Sequence, residues 1–215
     1  MPKRKIYLHD EDLAKLSEES LAGQGEKPVI YLDTSAILDF ENSLRFRKIK
    51  DKSLTSGDFY RVITSSCPRV FVTSRVLNES QRHYNNCRIN GLPELSCESM
   101  DIISKFHEDS CDFLRNASHE FSYDDFRYDV YLASISAFSR GHKKRELDPI
   151  SGIDRDLIAS ALDTRYSSGV TGVSVLASDS HILKTIDFLS GEQLLDKSKQ
   201  YDNIKGVNTR IKGGR

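Results

Sequence analysis

Two short apolar runs, "VIYL" at Val29–Leu32 and "VSVLA" at Val173–Ala177, constrain this chain more than any other feature. Each has strand length and no regular polar alternation. Such a strand is buried on both faces, which is the habit of strands inside a parallel sheet. "RVFVTS" at Arg69–Ser74 reads as a further strand. Helical patterns separate the three runs, as crossover connections between parallel strands require. The expected fold class is therefore α/β, with a central parallel sheet between layers of helix.

The remaining segments divide around that core. Residues 1–27 are polar, end in "GQGEKP", and read as an N-terminal extension with a short helix near Asp12–Leu21. Residues 28–195 hold the expected domain, with a mostly helical insertion over about 90–150, and 196–215 read as a polar tail. An apolar share of 38 % is ample for a core. No run approaches the roughly 18–20 apolar residues of a membrane helix. "MPKRKIYLHDEDLAKLSEES" has basic residues but no apolar stretch behind them, so a secretory signal is not expected. The four cysteines form no CxxC pair, which points to reduced thiols and a cytoplasmic location. A net charge of −1 excludes a globally basic nucleic-acid binder and leaves local patches open.

Acidic residues sit where the strands end. Asp33 follows "VIYL" and Asp179 follows "VLAS". Glu79 lies on the first turns of the helix after "VFVT", and Asp156 opens "DLIASAL". In a parallel sheet all four fall at one edge, and ligands of open α/β sheets bind beyond the carboxyl ends of the strands. Four neighbouring carboxylates repel one another, and a divalent cation removes the conflict. With no His or Cys in the set, Mg²⁺ or Mn²⁺ is expected rather than zinc. Ser35, two residues after Asp33, is placed to orient a ligand or phosphate. Taken singly, Asp33 and Asp179 also suit helix N-caps. Asp154 competes with Asp156 and suits an N-cap.

Together "YLDTSAILDF", "VFVTSRVLNES", "IDRDLIASAL" and "VLASDSHIL" resemble the PIN domain family of metal-dependent ribonucleases. On this resemblance the four acids map in order to Asp33, Glu79, Asp156 and Asp179, and the hydroxyl residue after the first acid maps to Ser35. It implies a PIN-like three-layer α/β/α sandwich over roughly residues 28–190. It also implies endonucleolytic RNA cleavage by metal-activated water, with 5′-phosphate and 3′-hydroxyl products. Many relatives are homodimers, and toxin relatives are held by a small inhibitory partner protein.

Other readings compete. The same fold could serve as a non-catalytic RNA- or protein-binding scaffold. An aspartyl phosphotransferase would need a second Asp two residues after the first, where this chain has Ser35. The basic runs "RFRKIKDK" (Arg45–Lys52) and "HKKRE" (His142–Glu146) could grip phosphates or form solvated faces. Tyr31, Tyr84 and Tyr123 could stack on bases or pack internally. His83 with Cys87, and His107 with Cys111, are each four apart and could face one another as a zinc site, or simply be core and surface residues.

Overall fold

The computed structural model describes residues 8, 10–40, 43, 69–89, 151–165, 169–191 and 204–210. The expected insertion, both basic runs, Tyr123, His107 and Cys111 lie outside the described residues, as do the side chains of Tyr84 and Cys87. Helix α1 spans Asp10–Leu21 and strand β1 Pro28–Leu32. Helix α2 is helical at residues 34–40. Strand β2 spans Val70–Phe71, α3 Ser74–Ile89, α4 Gly152–Arg165, β3 Gly172–Ala177, α5 Ser180–Gly191 and β4 Ile204–Asn208. The four strands form one sheet in the order β2-β1-β3-β4, with every pair parallel.

The apolar runs become the two central strands. All six residues of β3 are buried, and in β1 only Pro28 is partly open. Consecutive strand residues point to opposite faces, so both faces are covered. Two hydrogen bonds identify the covers. The Ser174 hydroxyl donates to the Ser20 carbonyl of α1 at 2.6 Å. The Tyr31 hydroxyl meets the Thr164 hydroxyl of α4 at 2.8 Å. Tyr31 is in register with Val175, and Ser174 with Ile30, so α1 and α4 lie on opposite faces. Tyr31 is thus a core residue, its ring edge-on to Phe71 at 5.8 Å, and it does not present a stacking surface to a base.

Two segments read as peripheral belong to this core. Leu8, Leu13 and Leu16 are essentially fully buried with the strand residues, so the N-terminal extension forms part of the packed layer. The C-terminal stretch read as a polar tail contains β4, which pairs with β3 from Val173↔Ile204 to Ala177↔Asn208. "IKGVN" hides its strand character because only Ile204 and Val207 are buried. Lys205 uses its ammonium to donate to the Glu19 and Ala22 carbonyls, which caps the C-terminal end of α1. Burial holds the Lys205 ammonium below its usual range, against the opposing pull of the Glu19 charge.

Gly172 is where α1's exit loop crosses the sheet. A Cβ there would lie 2.9 Å from the Gln24 backbone oxygen and would overlap the Gln24 side-chain amide. A side chain can swing away, whereas the backbone carbonyl cannot. Gly172→Ala is expected to cost about 1–3 kcal/mol, the usual range for overpacking. Urea unfolding of both proteins measures it, and equal midpoints would show that the loop yields freely.

Candidate metal and active site

Among the described residues, α2, α3, α4 and α5 begin at the carboxyl edge of the sheet, each with a capping hydrogen bond to a side chain. Asp33 precedes α2, and its Oδ2 accepts the Ser35 N–H at 2.9 Å and the Ser35 hydroxyl at 2.5 Å. The Thr73 hydroxyl accepts the Val76 N–H at 3.3 Å at the start of α3. At α4 the Ser151 hydroxyl accepts the Asp154 N–H at 3.1 Å, and Asp154 Oδ2 accepts the Ser151 N–H at 3.3 Å. That reciprocal pair is a capping box. Asp179 Oδ1 accepts the His181 N–H at 2.7 Å at the start of α5, with His181 Nδ1 3.3 Å away. The positive ends of the helix dipoles favour carboxylates at these positions. The cap reading and the site reading of Asp33 and Asp179 are therefore compatible.

The acids also sense one another. Asp33 is 3 % exposed. Burial pushes its carboxyl up to about 6; the Ser35 hydrogen bonds oppose the rise, and the Asp154 charge adds to it. Burial likewise raises Asp154, the Ser151 bonds oppose this, and the charges of Asp179 and Glu79 add to it. Asp154 thus links Asp33 to the other two acids. Glu79 takes no part in a cap; its Oε2 accepts the Thr34 hydroxyl at 2.5 Å. Ser35 joins two sides of the site, because its hydroxyl also accepts the Ser178 N–H at 2.8 Å. The site lies where the chain, having run from β1 out to β2, returns across β1 to β3. That reversal is the position at which open α/β sheets bind ligands.

Asp33 and Asp179 stand just after β1 and β3, and Glu79 reaches Thr34 from α3; Asp156 lies on α4 beside α3. Asp156 is buried and pairs with Arg75 of α3, its Oδ2 3.9 Å from Arg75 Nε. Residues two apart on a helix do not share a face, so α4 cannot aim Asp154 and Asp156 at the same neighbours. Asp154 is the acid whose charge reaches Asp33. The S-x-x-D pattern "SGID" sets the start of α4 and hence its rotation.

Among the described residues, no group of three or more His, Cys, Asp or Glu side chains stands in an arrangement that could hold a metal ion. The fit is one of donor chemistry. By residue type alone, Asp33, Glu79, Asp154 and Asp179 offer the oxygen donors that a hard cation prefers, with Ser35 bonded to Asp33 and Thr34 to Glu79. Their mutual repulsion is the conflict that such an ion relieves. His83, the described member of the alternative zinc set, is exposed on α3. No described helix is long and apolar enough to cross a membrane. No family model, no curated protein and no solved structure matches this chain.

Proposed function

We propose that this chain is a metal-dependent endoribonuclease of the PIN kind, hydrolysing RNA phosphodiesters at the carboxyl edge of the sheet. The observation that carries the reading is geometric: Asp33 and Asp179 follow the adjacent parallel strands β1 and β3, Ser35 bridges Asp33 to Ser178, and Thr34 bonds Glu79 of α3. The resemblance of the four sequence motifs supplies the reaction class. Asp33, Glu79, Asp154 and Asp179 would hold Mg²⁺ or Mn²⁺. When bound, such an ion would supply phosphodiester polarisation and a water of lowered pKa. The chain's own residues set the geometry. Ser35 fixes the Asp33 carboxylate and ties it to the Ser178 backbone, and Thr34 holds Glu79. The helix N-termini would stabilise the negative charge of a phosphate placed there.

One observation favours a second reading, a non-catalytic RNA-binding scaffold. Three of the four acids already serve as helix caps, a purely structural use. A single assay separates the two. With single-stranded and structured RNA, cleavage is expected in millimolar Mg²⁺ or Mn²⁺, to stop with EDTA, and to leave 5′-phosphate ends. RNA binding without cleavage in either metal would support the scaffold. Full cleavage in chelator would remove the metal from the mechanism.

A further inference from the structure

We infer that Thr34 is a positioning residue for Glu79, an inference that rests on the ribonuclease reading of this site. Asp33, Asp154 and Asp179 are each oriented by a helix-capping bond of their own. Glu79 has no such anchor. It sits within the second turn of α3, and a glutamate there has three rotatable bonds to fix. The hydrogen bond from the Thr34 hydroxyl to Glu79 Oε2, at 2.5 Å, spans 45 residues of sequence and joins the start of α2 to α3.

Thr34 is built for this task. It is 6 % exposed and is the first helical residue after β1. A threonine within a helix commonly turns its hydroxyl back to the carbonyl three or four residues earlier. Here those residues are Ile30 and Tyr31, which are strand residues paired into the sheet. The hydroxyl is instead committed to the carboxylate. A β-branched side chain has few χ1 choices, so the donor direction is set by the backbone. Donation to an ionised oxygen is among the stronger hydrogen bonds. Thr34 thus selects one Glu79 conformer in advance of ligand binding. Its hydroxyl is spent on Glu79.

The experiment compares wild type with Thr34→Val, Thr34→Ser, Glu79→Gln and the Thr34→Val/Glu79→Gln double variant. Mn²⁺ affinity is read by electron paramagnetic resonance on metal and protein alone, and RNA cleavage is read separately. Loss of a partner that orients a ligand typically costs about 10–100-fold in metal affinity or activity. Thr34→Val is expected to weaken Mn²⁺ binding and cleavage within that range. Thr34→Ser, which keeps the hydroxyl, is expected to stay within about threefold of wild type. In the Glu79→Gln background, Thr34→Val is expected to add little, because the two act as one unit. Wild-type affinity in Thr34→Val, or a Thr34→Ser variant as defective as Thr34→Val, would overturn the assignment. Additive losses in the double variant would show that Thr34 acts elsewhere than through Glu79. If wild type cleaves RNA and only the Thr34 expectations fail, the ribonuclease reading stands alone. If wild type neither binds Mn²⁺ nor cleaves, both fall.

Discussion

Asp33→Asn is expected to reduce RNA cleavage by about 10³-fold or more while making the metal-free protein more stable at neutral pH. A 10³-fold loss corresponds to about 4 kcal/mol of transition-state stabilisation, a reasonable loss for a carboxylate at the centre of the site. The stability gain has a separate cause. Burial raises the Asp33 carboxyl from 3.8 to about 6, so the native state holds this proton more tightly than the unfolded chain does. The resulting contribution to stability is fully present below pH 3.8 and is lost as pH rises through 6. The difference corresponds to about 3 kcal/mol. Asparagine carries no charge at any pH and keeps an oxygen for the two Ser35 donors. In EDTA, wild type and variant should therefore be about equally stable at pH 4. The variant should draw ahead by up to about 3 kcal/mol at pH 7.5. Mn²⁺ at about 100 times its dissociation constant should then lift wild type by roughly 2.7 kcal/mol and the variant by less. Denaturant unfolding across pH 4–8, with and without Mn²⁺, measures all of this. A variant less stable than wild type in EDTA at pH 7.5 would mean that the Asp33 charge is better compensated than its burial implies.

The second large effect separates two acids that stand two residues apart. Asp154→Asn is expected to lower cleavage by about 10²-fold or more, roughly 3 kcal/mol of transition-state stabilisation, while folding normally. Asparagine at that position can still accept the Ser151 N–H and complete the cap. Asp156→Asn is expected to leave cleavage within about tenfold of wild type and to act on stability instead. Its partner Arg75 has 60 % of its side chain exposed and the pair is 3.9 Å apart, so solvent screening keeps the loss small. Pairs of this kind are worth about 0–1 kcal/mol. Parallel cleavage and unfolding measurements on the two variants decide the matter. An inactive Asp156→Asn beside an active Asp154→Asn would return Asp156 to the site and remove Asp154 from it.

The contrast between these two acids marks the boundary between local and tertiary information. The central strands were legible because "VIYL" and "VSVLA" are apolar at successive positions, and only a strand covered on both faces tolerates that. Asp33 and Asp179 were legible for the same reason, since each stands where such a run ends. Which of Asp154 and Asp156 faces the strands depends on the rotation of α4. That rotation is set by its cap at Ser151 and by the packing of its buried face on the sheet. The strand character of "IKGVN" rests on pairing with β3, and Lys205 has a partner only once α1 is folded beside it. The burial of Leu8, Leu13 and Leu16 likewise depends on a surface made by distant strands. Short-range patterning therefore determined the two inner strands and the acids at their ends. The tertiary structure decided the edge strand, the N-terminal layer and the identity of the linking acid, because each depends on contacts between segments far apart in the chain.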